Sequence, residues 1–184
     1  MRVVAGELRG RRIEAPPGVD TRPTTDKVRE ATFNALGSLD LVRDALVVDL
    51  YAGSGALGIE ALSRGAAHCT FVERERSALR TLRDNLGSLD LDERSRVLTG
   101  DALVQAGRIE ADLVLADPPY DFERWDDLLD AVSAPFIVAE SGRELGDIAG
   151  WSLRRSLLSA DSATRGRGVD RRRHGRLPVR GLPR

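Results

Sequence analysis

Asp117-Pro118-Pro119-Tyr120 follows the apolar run Leu113-Val114-Leu115-Ala116, so a carboxylate, two prolines and an aromatic ring stand at the end of a predicted strand. An exocyclic amine of guanine, adenine or cytosine is a poor nucleophile because its lone pair is conjugated with the ring. A carboxylate and a backbone carbonyl, held by prolines of fixed φ, accept the two amine hydrogens and localise that lone pair toward a methyl donor. Tyr120 would stack on the base once it is turned out of its helix or loop. These residue types in this order point to methyl transfer to a ring amine, with a Pro-Pro turn capped by Asp and Tyr as the plain structural alternative.

A second constellation lies some sixty residues earlier. Val47-Val48-Asp49-Leu50 reads as a strand running into Gly53-x-Gly55-x-x-Gly58, a glycine turn that opens a helix. The spacing alone fits any nucleoside-binding turn, including one that lays a pyrophosphate on the helix N-terminus. Asp49 narrows the choice, since a carboxylate there repels a pyrophosphate and helps hold an ammonium or sulfonium group. S-adenosylmethionine carries both and no phosphate. Glu73 ends the next apolar run, Cys69-Thr70-Phe71-Val72, twenty positions beyond Gly53, and is placed to accept ribose hydroxyls. Asp101 follows Arg96-Val97-Leu98-Thr99-Gly100 and would lie near an adenine amino group, or else cap a helix.

The elements that position these groups alternate. Ala56 to Arg64 is apolar nearly all round and stops at Gly65; Ser77 to Leu86 carries Leu79, Leu82 and Leu86 on one stripe, with Arg80, Arg83 and Asp84 outside and Gly87 as a stop. Trp125, Leu128, Leu129 and Val132 form another stripe ahead of a fifth strand, Phe136-Ile137-Val138-Ala139. Strand and helix in alternation predict an α/β fold, a parallel sheet covered on both faces. No internal repeat is evident. At 184 residues the chain is long enough for one layered core. Cys69 alone offers no disulfide, and with only His68 and His174 besides it no metal site is expected. No apolar signal stretch or twenty-residue apolar run occurs, so no membrane association and a cytoplasmic location are expected.

Arg2-Val3-Val4-Ala5, a glycine turn and Arg11-Arg12-Ile13 predict a two-stranded ribbon, marginal by itself and dependent on a partner. Its Arg2, Arg9, Arg11 and Arg12 suit phosphate contacts. A helix capped by Thr24 or Thr25 should dock through Val28, Ala31, Thr32, Ala35 and Leu36, leaving Arg22, Lys27 and Arg29 outward, toward RNA or water. Charge is uneven. Residues 1–152 hold eighteen basic against twenty-seven acidic side chains, a formal net of minus nine, while the last thirty-two residues hold ten arginines and two aspartates. An acidic body disfavours nonspecific phosphate binding, so RNA contact must come from local basic features.

Arg2-Val3-Val4-Ala5-Gly6-Glu7-Leu8-Arg9-Gly10-Arg11-Arg12, Thr21-Arg22-Pro23-Thr24-Thr25-Asp26-Lys27-Val28-Arg29-Glu30 and Phe33-Asn34, with the glycine loop and Asp-Pro-Pro-Tyr in order, resemble the bacterial 16S ribosomal RNA guanine-N2 methyltransferases of the RsmD type. The resemblance covers about residues 1 to 145. It implies a Rossmann-like class I S-adenosylmethionine-dependent methyltransferase fold with an N-terminal β-hairpin extension. The implied activity is methylation of the two-amino group of one guanine in 16S rRNA, near the peptidyl-tRNA site, in the assembled or nearly assembled small subunit. The enzyme would act as a monomer. The resemblance assigns catalysis to Asp117, Pro118, Pro119 and Tyr120 and cofactor contact to Asp49, Gly53, Gly55, Glu73 and Asp101. Three segments follow: a hairpin and linker over 1–24, the methyltransferase domain over 25–152, and a basic tail over 153–184.

The tail departs from the family. An Arg-Tyr-Gly-Asp-Thr-like final strand is missing, and although Trp151-Ser152-Leu153 could begin a sixth strand, the chain from about Leu158 has the composition of an unfolded basic segment. It reads as an RNA-binding arm or as the product of a shifted reading frame; the second is preferred because the change falls where a core strand is needed. The competing functions are a DNA adenine or protein amide methyltransferase, which shares the tetrapeptide, a nicotinamide-dependent oxidoreductase, and a silent RNA-binding remnant.

Overall fold

Alternation along each apolar run decides the architecture. In the computed structural model, which describes residues 1–17, 26–141, 145, 151–158 and 165–171, five parallel strands form the centre of the sheet: β1 (Leu46–Leu50), β2 (His68–Glu73), β3 (Ser95–Thr99), β4 (Leu113–Ala116) and β5 (Phe136–Ser141). Val47, Cys69, Phe71, Leu113, Leu115 and Val138 point to one face. Val48, Leu50, Val72, Val114, Ala116, Ile137 and Ala139 point to the other. Helices α1 (Asp26–Ser38), α2 (Ala56–Ser63) and α3 (Arg76–Ser88) contribute to the first layer, and α4 (Ala102–Ala106) and α5 (Trp125–Ala131) to the second. This is the α/β arrangement expected from the alternation and the Rossmann-like class I methyltransferase fold that the resemblance implies.

Strand order is β3-β2-β1-β4-β5-β7-β6, where β6 is Trp151–Leu158 and β7 is Arg165–Arg171. The winding reverses between β1 and β4, and a crevice outside the carboxyl ends of strands at such a switch point is where α/β sheets take ligands. Asp49 and Asp117 stand on these two strands' carboxyl ends. Among the described residues no helix is long and apolar enough to cross a membrane.

Four local expectations are corrected. The tail supplies β6 and β7: β7 runs antiparallel to β5, pairing Phe136 with Asp170 through Ser141 with Arg165, and β6 runs antiparallel to β7. Pairing is a backbone property, and the open edge of β5 offers hydrogen bonds to a segment that lacks apolar alternation. Residues 159–164 and 172–184 of the tail lie outside the described residues. The ribbon is shorter than two full strands: Arg2 bridges Arg12 antiparallel, with the Val3 amide on the Arg11 carbonyl at 3.0 Å and the Ile13 amide on the Met1 carbonyl at 2.9 Å. The first helix docks through Arg29, Thr32, Phe33 and Leu36, so the stripe is turned from the predicted one and Ala31 is exposed. Its expected caps, Thr24 and Thr25, lie outside the described residues.

Gly87 does not stop α3. The pentapeptide Gly-Ser-Leu-Asp-Leu occurs twice, at 37–41 and 87–91, and ends both α1 and α3 in the same way. Asp40 and Asp90 take left-handed φ values of 53° and 57°. The amides of Leu41 and Leu91 then reach back to the carbonyls of Leu36 and Leu86 at 3.1 and 3.0 Å, a Schellman closure built on aspartate. Sequence reading missed this short internal repeat.

Candidate active site

The turn after β1 is held open by backbone geometry. Tyr51 sits at φ 61°, Gly53 at 55° and Gly55 at 83°, three left-handed residues in five positions. A Cβ on Gly53 would come no nearer than 3.9 Å to another group, so that side of the turn faces open space. Gly55 differs, because a Cβ there would stand 2.5 Å from Leu82 Cδ1. Gly58 is packed too, 2.3 Å from Phe71 Cε1 by the same measure, and serves helix-to-strand contact.

Glu73 ties this turn to the next one. Its carboxylate accepts the Gly53 amide at 2.8 Å, and its other oxygen accepts the amides of Arg74 and Glu75 at 2.7 and 2.8 Å. Three backbone donors therefore fix its orientation beside the open face of Gly53, and one lone pair, on the oxygen that takes the Gly53 amide, remains for a ribose hydroxyl. Asp49 shares the face of β1 with Val47 and accepts the Gly58 amide at 2.8 Å. Burial pushes its carboxyl well above the usual range; the Gly58 hydrogen bond opposes this, and the charges of Asp117 and Glu73 add to it. Asp101 caps α4, accepting the amides of Leu103 and Val104 at 2.9 and 3.3 Å, while its second oxygen lies 3.6 Å from Arg74. The helix-cap role raised for it is thus present, with one carboxylate oxygen turned to Arg74.

At the end of β4, Asp117 is half-buried, Pro118 buried, Pro119 exposed and Tyr120 68% exposed. The Pro119 carbonyl accepts the Phe122 amide at 2.9 Å, closing a turn that leaves the Tyr120 ring uncovered. Tyr51 packs edge-on to Phe122 at 5.5 Å, and Phe122 edge-on to Trp125 at 5.2 Å. Burial first, then the Asp101 charge, lifts the Tyr51 phenol to about 12, against Arg74 and Arg124, so it is a neutral donor at ordinary pH. Phe122 and Tyr51 were missed in the sequence, although Phe122 lies two residues past the tetrapeptide.

The basic residues divide. Arg9, Arg11, Arg12, Arg2 and Lys27 are exposed. Arg12 pairs with Glu14 at 2.8 Å, and Arg2 donates to the Gly10 carbonyl at 2.7 Å. Arg22 lies outside the described residues. Arg29 is not an outward RNA contact: it is fully buried, bonded to Asp26 and the Arg2 carbonyl, with Nε 3.4 Å from Glu60. Its position follows from Glu60, a buried carboxylate within the apolar helix α2. Glu60 accepts the amides of Val4 and Ala5 at 2.8 and 3.0 Å and pairs with Arg64 at 2.7 Å. The amino-terminal segment thus has α2 as the partner it needed. Asn85, also buried, completes the docking: it accepts the Glu14 amide at 2.9 Å and donates to the carbonyls of Glu14 and Ser54, the latter in the glycine turn.

This donor set fits S-adenosylmethionine. The charges of Asp117 and Glu73 both disfavour ionisation of the buried Asp49, which a ligand bearing ammonium and sulfonium groups relieves and a pyrophosphate would aggravate.

Comparison with known proteins agrees. The family described as conserved hypothetical protein 95 matches residues 1–143. YlbH of Bacillus subtilis (strain 168) is 42% identical over 158 residues, covering 79% of this chain and 84% of that protein. Ribosomal RNA small subunit methyltransferase D of Escherichia coli (strain K12) is 42% identical over 123 residues, 65% of this chain and 60% of that protein. The solved structure of Escherichia coli yhhF superposes with a TM-score of 0.80 at 35% identity, covering 93% of this chain and 97% of that one. With its family match, its relatives and its fold in accord, the chain belongs to the RsmD-type family.

Proposed function

We propose that this chain methylates 16S ribosomal RNA with S-adenosylmethionine, at the two-amino group of one guanine, acting as a monomer in the cytoplasm on the assembled or nearly assembled small subunit. The observation that carries the reading is the meeting of the glycine turn of β1 with Asp117-Pro118-Pro119-Tyr120 of β4 on adjacent strands, at the switch point of the sheet. The names of the relatives support the rRNA methyltransferase part. The amino-terminal segment supports rRNA over DNA or protein substrates, because only it separates the family from other enzymes sharing the tetrapeptide.

Asp49, Gly53, Gly55, Glu73 and Asp101 would hold the cofactor, which when bound supplies an electrophilic methyl group on a sulfonium. Glu73 orients the ribose, since its carboxylate is already fixed by three amides. Asp49 would offer a desolvated carboxylate to the cationic end, and its ionised form is favoured beside a positive charge. Tyr120, uncovered in the free protein, stacks on the base. Asp117 and a carbonyl of the tetrapeptide accept the amine hydrogens, and Asp117 is the adjacent acceptor for the proton the amine gives up.

The test is methyl transfer to small subunits from a strain lacking the gene, followed by mass analysis of rRNA fragments. N2-methylguanine at one 16S position is expected. A methylated base of another kind, or tighter binding of NAD than of S-adenosylmethionine by calorimetry, would overturn the reading.

A further inference from the structure

The acidic body poses a problem for a protein that must grip a polyanion, and three arginines that Proposed function leaves unused answer it. Arg76, Arg80 and Arg83 are all exposed and fall at helical spacings of four and three, so they form one row on the outer face of α3. Their buried counterparts Ala78, Leu79, Thr81, Leu82, Asn85 and Leu86 lock the opposite face, so the row cannot turn inward. Among the described residues none of the three is in an ion pair. The row spans about 10 Å of helix. It is extended at the far end by Arg11, whose guanidinium donates to the Ser88 carbonyl at 2.6 Å. Between Arg83 and that guanidinium, Gly87 presents no side chain, and a Cβ there would stand 3.8 Å from Asp92 Oδ2. The flanking acids are Asp84, Asp92 and Glu75, and Glu75 is engaged in capping the helix through the Ser77 amide at 3.2 Å.

We infer that the row Arg76, Arg80, Arg83 and Arg11 is a track for the phosphate backbone of the RNA substrate. The inference rests on the rRNA methyltransferase reading and adds to it the surface that bears the strand. Guanidinium groups match phosphate geometry with paired donors and stay charged at any working pH. The upper end of the row begins beside Glu73, the end of β2. Two strand spacings, about 10 Å, separate β2 from β4, so the row starts at the same end of the sheet as Asp117. The net negative charge of residues 1–152 disfavours phosphate away from such local basic features, of which this row is one.

The experiment measures affinity for small subunits, and for naked 16S rRNA, as a function of salt. It uses the wild type, the triple variant Arg76→Ala/Arg80→Ala/Arg83→Ala and the corresponding triple lysine variant. Three lost phosphate contacts should flatten the log affinity against log salt slope by about two and weaken binding roughly ten- to a hundredfold at physiological salt. The lysine variant should keep the slope, and S-adenosylmethionine affinity and melting temperature should stay unchanged in both. An alanine variant with wild-type affinity and slope, while the wild type methylates rRNA, overturns the track alone. Loss of binding to subunits with undiminished binding to naked rRNA means the row meets a ribosomal protein, and also overturns it. A wild type that neither binds nor methylates rRNA overturns both readings together.

Discussion

Glu60→Gln removes one charge and almost no volume, and it strikes the point where the amino-terminal segment is held. The carboxylate is completely buried, as is Arg29, and it receives two amides, Arg64 and the Arg29 Nε side. An amide in its place puts an NH2 group against donors and leaves Arg29 buried with only Asp26 to compensate it. Breaking a buried pair by removing one partner costs about 3–5 kcal/mol, and the surviving Asp26 contact places this case near 3. For a domain of this size that lowers the melting temperature by about 6–12 °C. Thermal denaturation reads the loss, and limited proteolysis should show new cleavage before residue 17. S-adenosylmethionine affinity should hold, because Asp49, Gly53 and Glu73 do not touch this cluster. The double variant Arg29→Met/Glu60→Leu separates the contributions: with Arg29 gone its melting temperature should recover in part, not fully, because Arg64 loses its ion pair, and proteolytic sensitivity should remain because Val4 and Ala5 still lack their acceptor. A single variant melting within about 2 °C of wild type, with an unchanged digestion pattern, would refute the anchoring role.

Asp117→Ala should lower the methyl-transfer rate constant by about two to three orders of magnitude while leaving cofactor affinity intact; Tyr120→Ala should mainly raise the KM for subunits. Glu73→Ala should weaken S-adenosylmethionine binding by about 1–3 kcal/mol in calorimetry, and unchanged affinity would remove it from the cofactor site. Asp49 binds its proton more tightly folded than unfolded, so its contribution to stability is present below about pH 4 and lost as pH rises through its raised value. Asp49→Asn should therefore melt above wild type at neutral pH, with the gap closing toward pH 4. Translation of the neighbouring frame beyond about codon 155 should give an Arg-Tyr-Gly-Asp-Thr-like peptide, and its absence from both alternative frames would leave the tail as a genuine basic arm.

The parallel sheet and the placement of Asp49, Glu73 and Asp117 at strand ends were legible because apolar runs of four to six residues ended in polar groups. What escaped depended on partners distant in the chain. Glu60 looks like a stray charge in an apolar helix until the amides of Val4 and Ala5 are laid against it. Arg29 looks solvated for the same reason, and taking it as outward misplaced the stripe of α1. The strand Arg165–Arg171 carries no side-chain pattern that announces it, because its partner is the free edge of β5. Asp101 was ambiguous in the sequence and keeps two uses in the fold, a cap and an Arg74 contact.

The docking of the first fourteen residues has a kinetic corollary. Val4 waits for Glu60, Arg11 for Ser88, Glu14 for Asn85 and Glu7 for Arg94, separations of 56, 77, 71 and 87 residues. The segment made first is therefore completed by contacts made much later. At ribosomal rates of about 5–20 residues per second, several seconds pass before Glu7 can meet Arg94. Contacts of such long separation close loops at the greatest entropic cost and belong to the late part of folding. Both tryptophans, Trp125 and Trp151, lie in the layer under α5 on the other side of the sheet. Intrinsic tryptophan fluorescence consequently follows the assembly of that layer and stays silent while the amino terminus seats itself, an event that needs a probe of its own.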